Sequence, residues 1–243
     1  MTAERLDQAE VEAFRRAREE VLGHIAEAAA RSGRDPAAVT LVAVSKTVQA
    51  ARVRAAVAGG LTVLGENRVQ EGVAKIPEVE GAAWHLIGPL QSNKARRAIE
   101  LFDVIESLHT VDLASRLDGL AASMPGRAPL PVLLQVNVDA DPAKAGFLPV
   151  DLEAAIERLD ALGALDYRGL MTIGRFTDDP EEARPTFVAL REFAAGLRTR
   201  WPRLGPELSM GMSDDYATAV EEGATIVRVG RAIFGARTLP PVA

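Results

Sequence analysis

A regular alternation of short apolar runs and amphipathic segments narrows the choice of fold more than any other property of this sequence. Eight apolar runs have the length of β-strands, at residues 41–45, 61–64, 84–87, 104–106, 131–138, 167–173, 207–210 and 225–229. Helical patterns lie between them, near residues 48–58, 66–76, 92–101, 112–122, 150–162, 180–200 and 214–222. Strands that alternate with helices are joined by right-handed crossovers and form a parallel sheet. Eight such units predict a closed, TIM-like (β/α)8 barrel of the α/β class, with an open, doubly wound sheet as the alternative.

A long amphipathic helix precedes the first predicted strand. Apolar residues recur at three- and four-residue spacing over about residues 3–32, and Gly33 is placed to end the helix. Residues 230–243 alone follow the eighth run, and they include Pro240 and Pro241. Because a full last helix does not fit there, we expect the N-terminal helix to cover the seam between strand 8 and strand 1. No linker-like tract interrupts the pattern, so residues 1–243 are expected to form a single domain.

Composition excludes several classes of function. The chain has no cysteine, which removes disulfides and thiolate chemistry. Its net charge of −6 argues against a nucleic-acid or anionic-membrane surface, and no apolar run approaches the length of a membrane span. Charged residues at the very start do not suit a signal peptide, so we expect a cytoplasmic protein. No two of the three histidines have metal-ligand spacing, and no metal site is expected.

Lys46 is the most informative candidate for chemistry, because it directly follows the first apolar run. Active sites of such barrels lie where strands end. Partial desolvation there would lower the pKa of the amine and favour the neutral form, which attacks aldehydes to give Schiff bases. The alternative is a structural ion pair in the barrel mouth, with Glu66 as its partner, and the residues alone favour neither. The other lysines, Lys75, Lys94 and Lys144, are expected to be solvated.

Two glycine-containing turns follow the seventh and eighth runs. They lie in the segments 208–215 and 227–235. Consecutive backbone N–H groups near a helix start bind anions, and these two loops of a barrel commonly hold a phosphate. Gly230 allows close approach of the backbone, and Ser209 offers a hydroxyl. Together with Lys46, the turns suit a ligand with an aldehyde at one end and a phosphate at the other. Pyridoxal 5′-phosphate has this form, and a sugar-phosphate substrate of a lysine aldolase also fits.

Several longer strings resemble one known family. They are Leu41-Val-Ala-Val-Ser-Lys46, Leu64-Gly-Glu-Asn-Arg-Val-Gln-Glu71, residues 84–94, 135–137 and 169–171, Leu208-Ser-Met-Gly-Met-Ser-Asp-Asp215 and residues 227–235. On these residues the chain resembles the pyridoxal phosphate homeostasis proteins, a (β/α)8 family similar to the N-terminal domain of bacterial alanine racemase. The resemblance implies that Lys46 carries pyridoxal phosphate as a Schiff base, that Arg228 faces the pyridine nitrogen and that Asn67 lines the pocket.

The resemblance also assigns the phosphate site. Ser209 and the backbone around Gly230 and Arg231 would hold the phosphate group. Relatives often carry a small hydroxyl residue where this chain has Arg231. Little changes if the backbone N–H is the donor, whereas a side-chain hydrogen bond would be lost unless Arg231 turned inward.

The same resemblance implies a carrier rather than an efficient enzyme. Arginine only donates hydrogen bonds, so at the pyridine nitrogen it keeps the ring unprotonated and a weak electron sink. Alanine racemase adds a second domain with a tyrosine base, and Tyr167 and Tyr216 of this chain are expected to have packing roles only. The expected function is buffering or delivery of pyridoxal phosphate by a monomer, with pyridoxal-phosphate-dependent apoenzymes as candidate recipients and at most weak side activity. A pyridoxal-phosphate-dependent amino-acid racemase and a cofactor-free lysine aldolase are the alternatives.

Overall fold

The eight strands form one closed parallel barrel. The computed structural model describes residues 6–175, 177 and 179–235. Each strand pairs with the next along the chain, and β8 pairs with β1, so the sheet has no edge. The strands are β1 (Thr40–Val44), β2 (Val63–Glu66), β3 (Ala83–Leu86), β4 (Val104–Leu108), β5 (Leu130–Gln135), β6 (Leu165–Met171), β7 (Glu207–Ser209) and β8 (Ile226–Val229). All eight predicted strands and the closed barrel are therefore confirmed, and the open sheet is wrong.

Helices follow the strands in the predicted order. They are α1 (Gln8–Arg31), α2 (Ala50–Ala58), α3 (Val69–Lys75), α4 (Ala95–Leu101), α5 (Val111–Ala122), α6 (Pro149–Asp160), α7 (Arg184–Arg200), α8 (Tyr216–Glu221) and α9 (Arg231–Phe234). Short 3-10 turns at Ser92–Lys94 and Pro180–Ala183 precede α4 and α7, which is why those helices begin later than predicted. Within the described ranges, no helix combines the length and apolar character needed to cross a bilayer.

The N-terminal helix α1 occupies the predicted place over the β8–β1 seam. It packs against α2, which follows β1, and against α8 and α9, which flank β8. Phe14 and Ile25 are among its buried residues, and the Phe14 ring meets Phe234 edge-on at 5.3 Å. Asp7 caps the helix by accepting a hydrogen bond from the N–H of Ala9. The first predicted helical residues, 3–5, and the two prolines near the C-terminus lie outside the described residues.

Two apolar layers leave a polar mouth at one end of the barrel. The larger core lies between sheet and helices, and a small inner cluster of Val42, Leu133, Met171 and Ile226 fills the barrel interior. Residues paired across parallel strands share a face of the sheet. Arg228 pairs with Val42 and therefore also faces the interior. The inward polar residues near the carboxyl ends of the strands thus lie beyond this apolar cluster, where a barrel carries its functional site.

Candidate functional site

Lys46 lies in the turn that follows β1, on the same rim of the barrel as the end of β8. The residue is half-buried, two positions after the last residue of the strand. Ala43 pairs with Val229, so the next pair along the two strands is Val44 and Gly230. A Cβ on Gly230 would lie 3.4 Å from the Val44 carbonyl oxygen, which confirms this neighbourhood. The structure therefore brings the predicted amine and the predicted glycine turn to adjacent strand ends.

Two backbone donors converge beside this rim. The N–H groups of Gly230 and Arg231 both point at the hydroxyl oxygen of Ser213, at 3.1 and 3.0 Å. Such a pair of amides is suited to an anionic oxygen, although the acceptor there is a neutral hydroxyl. The Arg231 side chain is exposed and forms an ion pair with Asp214. Arg231 therefore offers its main chain to the cradle and not its guanidinium group.

Ser209 and Arg228 meet inside the barrel, in a buried polar chain. Arg228 is 4% exposed and donates to the Ser209 hydroxyl at 2.6 Å and to the Thr172 carbonyl at 2.7 Å. Ser209 in turn donates to Glu106, whose other carboxylate oxygen lies 2.6 Å from Nδ1 of His85. The Ser209 hydroxyl, predicted as a phosphate donor, thus already has two protein partners, and its role towards phosphate stays a prediction.

Glu106 supplies the negative charge that balances Arg228. Burial raises the pKa of Glu106, but the hydrogen bond and charge of His85 and the charge of Arg228 outweigh it, so the pKa lies below the ordinary range. Burial lowers the pKa of Arg228, while Glu106 and Asp215 act in the opposite direction. The chain therefore holds a charged guanidinium below the barrel mouth. Glu106 was inside a predicted strand, but nothing in the sequence indicated that it would pair there.

The prediction that Lys75 is solvated is wrong. Lys75 is buried, and its ammonium lies 2.7 Å from Oε1 of Glu66 and 3.2 Å from Oε2 of Glu71. Glu66, the proposed ion-pair partner of Lys46, is thus the partner of Lys75. The four-residue spacing of Glu71 and Lys75 on α3 was the only sequence signal for this ion pair. It did not indicate burial, because such pairs are common on exposed helix faces as well.

The prediction for Lys144 is also wrong. Its ammonium is half-buried and donates to the carbonyl oxygens of Ile173 and Gly174, at 3.2 and 3.0 Å. The loop after β5 therefore folds towards the loop after β6.

Asn67, predicted to line the pocket, lies half-buried after β2 and against Gly88. A Cβ on Gly88 would come within 2.2 Å of the Asn67 carbonyl oxygen. Only glycine permits that contact, which fixes the two neighbouring loops.

The packing roles predicted for the two tyrosines are confirmed, and two histidines have defined hydrogen-bond partners. His85 is buried beside the site, hydrogen-bonded to Glu106. Tyr167 is buried and donates its hydroxyl to the Leu159 carbonyl. Tyr216 is buried as well, and its hydroxyl bonds to the exposed His24. Both tyrosines are therefore buried, with hydroxyl groups that bond to Leu159 and His24.

Comparison with known proteins agrees with this geometry. A family model described as alanine racemase, N-terminal domain, matches residues 19–238. The pyridoxal phosphate homeostasis protein of Pseudomonas aeruginosa PAO1 is 46% identical over 220 residues, which cover 89% of this chain and 93% of that protein. The chain belongs to the pyridoxal phosphate homeostasis protein family. The Escherichia coli K12 family member is 42% identical over 228 residues, covering 90% and 94% of the two chains.

Solved structures of this family and of racemases share the barrel. PipY of Synechococcus elongatus PCC7942, solved with pyridoxal phosphate bound, is 45% identical and matches with a TM-score of 0.76 over 87% of this chain and all of that chain. Without pyridoxal phosphate the TM-score is 0.77. Alanine racemase from Corynebacterium glutamicum matches with a TM-score of 0.71 at 15% identity, over 96% of this chain and 64% of that one. The racemase likeness concerns the fold alone.

Proposed function

We propose that this protein binds pyridoxal 5′-phosphate on Lys46 and buffers or delivers it inside the cell. The observation that carries the proposal is the position of Lys46 on the same rim as the converging N–H groups of Gly230 and Arg231. Names and structures of relatives with over 40% identity support it, since PipY was solved with the same cofactor. The proposal includes a monomer in the cytoplasm, with pyridoxal-phosphate-dependent apoenzymes as recipients.

The donor groups of the site fit the cofactor. When bound, pyridoxal phosphate supplies an electrophilic aldehyde and a dianionic phosphate. The Lys46 amine adds to the aldehyde carbon and water leaves, which gives a Schiff base. The N–H groups that now point at the Ser213 hydroxyl are suited to phosphate oxygens. Asn67, after β2, is a further candidate for lining the pocket.

Arg228 favours a carrier over an enzyme. Its guanidinium can only donate hydrogen bonds, and Glu106 keeps it charged inside the barrel. A pyridine nitrogen facing this group stays unprotonated, so the ring withdraws electrons from a carbanion weakly. Both tyrosines of the sequence are occupied in the core, and neither is placed to act as a second base. These features support binding and release without robust catalysis.

Borohydride reduction followed by peptide mass mapping tests the assignment. We expect a pyridoxyl group on the peptide that contains Lys46 after incubation with pyridoxal phosphate. Lys46→Ala should abolish this label, and Lys94→Ala should leave it unchanged. A label that persists at full extent on another lysine of the Lys46→Ala variant, with none on Lys46 in the unmodified protein, would overturn the proposal. A protein that takes up no pyridoxal phosphate would equally reject it.

A racemase is the competing function, because it would use the same amine and phosphate groups. The two are separated by α-proton exchange of amino acids in deuterated water, followed by NMR. A carrier should show exchange no faster than free pyridoxal phosphate. Rapid exchange that disappears in Lys46→Ala would favour the enzyme instead.

A further inference from the structure

We propose that Lys75, held between Glu66 and Glu71, is a positioning residue that orients the turn carrying Lys46 and thereby sets how fast Lys46 captures an aldehyde. The inference deepens the proposed function and rests on it. Residues 45–47 form this turn, directly after β1. Lys75 and Glu71 are on α3, and Glu66 ends β2, so two elements meet at the turn that follows β1.

The first residue of the turn, Ser45, is held twice. The ammonium of Lys75 donates to the Ser45 carbonyl oxygen at 2.7 Å. The Ser45 hydroxyl donates to Oε1 of Glu66, also at 2.7 Å, and the same oxygen accepts from Lys75. Main chain and side chain of Ser45 are thus tied to one ion pair.

The last residue of the turn, Thr47, is held from the other side. Its backbone N–H donates to Oε2 of Glu71 at 2.7 Å, and that oxygen lies 3.2 Å from the Lys75 ammonium. Thr47 has a φ of 66°, in the left-handed region that β-branched residues rarely adopt. A backbone of this kind persists only where its surroundings hold it. Lys46 therefore lies between two residues that are fixed by the same cluster.

Burial distinguishes this cluster from an ordinary surface ion pair. The side chain of Lys75 is 9% exposed and that of Glu66 is fully buried. The three hydrogen bonds of Lys75, to Ser45, Glu66 and Glu71, use all three donors of an ammonium group, which makes the arrangement directional. Burial raises the pKa of Glu66, and its Oε2 has no hydrogen-bond partner among the described residues. The fold thus keeps a costly buried carboxylate where it bonds to the reactive turn.

The position of the Lys46 amine should affect the rate of Schiff-base formation more than it affects the affinity for the ring and phosphate of the cofactor. The backbone donors proposed for the phosphate, Gly230 and Arg231, follow β8, whereas the described hydrogen bonds of the cluster hold Ser45 and Thr47 after β1. A misplacement of the amine slows attack on the aldehyde, because effective reaction requires near-attack geometry. Pyridoxamine 5′-phosphate separates the two effects, since it has the ring and the phosphate but no aldehyde. Loss of positioning should slow Schiff-base formation and leave the affinity for pyridoxamine 5′-phosphate unchanged.

The test uses a double variant, Glu66→Gln with Lys75→Met, which removes both charges and keeps side-chain volume. Stopped-flow absorbance gives the rate of Schiff-base formation, and calorimetry gives the affinity for pyridoxamine 5′-phosphate. We expect the rate to fall by about tenfold or more, as for a small displacement of a reacting group. Lys94→Met and Glu78→Gln are matched controls on other parts of the chain and should retain the unmodified rate.

Glu71→Gln keeps the test decisive if the double variant does not fold. It leaves the Lys75–Glu66 pair intact and weakens only the hold on Thr47, so we expect a smaller decrease in rate, of about threefold. A folded variant that forms the Schiff base at the unmodified rate would overturn the inference. So would a variant in which this rate and the affinity for pyridoxamine 5′-phosphate fall by the same factor, because that result indicates a general structural role. If the unmodified protein forms no Schiff base on Lys46, the proposed function itself fails.

Discussion

At the level of single residues, position 231 offers its backbone and its side chain to different partners. The N–H of Arg231 points at the Ser213 hydroxyl, while the exposed guanidinium pairs with Asp214. We therefore expect Arg231→Ala to change pyridoxal phosphate affinity by less than about threefold, as is usual for exposed ion pairs. Arg231→Pro suits the first position of a helix but lacks the N–H, and should weaken affinity by about tenfold.

Equilibrium titration at the visible absorbance of the bound cofactor measures both variants. Ala232→Pro, one position further along the same helix, is a control for the effect of the ring itself. If Arg231→Ala weakened binding as strongly as Arg231→Pro, the guanidinium would be a phosphate ligand in the bound state and the backbone assignment would be wrong.

Glu106, which is joined to the buried Arg228 through the Ser209 hydroxyl, supports a second prediction at this scale. Glu106→Gln removes the buried charge that His85 and the Ser209 hydroxyl bond to and that acts on Arg228, and loss of one charge from such a buried, hydrogen-bonded set costs about 3–5 kcal/mol of unfolding free energy. Urea unfolding at neutral pH measures the difference. Glu100→Gln, at a partly exposed pair with Arg97, should change stability by less than about 1 kcal/mol.

The same variant gives a pH dependence with a defined sign. Because the pKa of Glu106 is lower in the folded protein than the ordinary value of 4.5, its stabilising contribution is complete above pH 4.5 and is lost as the pH falls below it. The difference in unfolding free energy between the unmodified protein and Glu106→Gln should therefore shrink on acidification. A constant difference from neutral pH down to the acid limb would show that Glu106 is not ionised in the fold.

Among the elements, helix α1 covers the seam between β8 and β1, where the described part of the chain has only the short helix α9 after β8. Phe14 is 3% exposed, lies against the Phe234 ring and packs close to Gly59 at the end of α2. Phe14→Ala should leave a cavity and reduce the unfolding free energy by about 3–5 kcal/mol. Arg16→Ala, on the exposed face of the same helix, should have an effect below about 0.5 kcal/mol. Denaturant unfolding of both variants shows whether α1 unfolds cooperatively with the barrel. Equally small changes in unfolding free energy for the two variants would show that it does not.

The elements were predictable because their signals are local. Strand length, apolar periodicity and glycine turns are read within a few residues, and barrel closure follows from counting the repeats. The position of Lys46 beside Gly230 follows in turn, because closure makes strands 1 and 8 neighbours. The predicted start of a helix differs from the observed one where a 3-10 turn precedes the helix, as at α7. The capping pattern in the sequence does not distinguish the two helix types.

The polar pairings were not predictable, because they depend on which side of the sheet each residue faces. Glu66 and Lys75 lie nine positions apart in sequence and meet between β2 and α3, where burial is decided by packing and not by composition. Glu106 and Ser209 meet across the barrel interior, 103 positions apart. The sequence around Lys75, in a helix, and around Lys144, in a loop, gives no signal about whether the amine faces water or a buried partner, which is why both were assigned to solvent.

For the whole molecule, we predict a monomer from the scarcity of exposed apolar residues in the described part of the chain. In the described part of the chain, the large hydrophobic residues that are exposed are Val73, Leu148 and Val150, and the last two lie together at the start of α6. A stable homodimer buries at least about 1,000 Å² with an apolar centre, and these three residues offer only a small part of such a centre. Sedimentation equilibrium at micromolar concentration should therefore give 25.9 kDa, with and without pyridoxal phosphate. Val150→Glu is the matched variant, because it places a charge in the exposed apolar patch at the start of α6. A mass twice as large for the unmodified protein that returns to the monomer value in Val150→Glu would contradict the prediction and identify the interface.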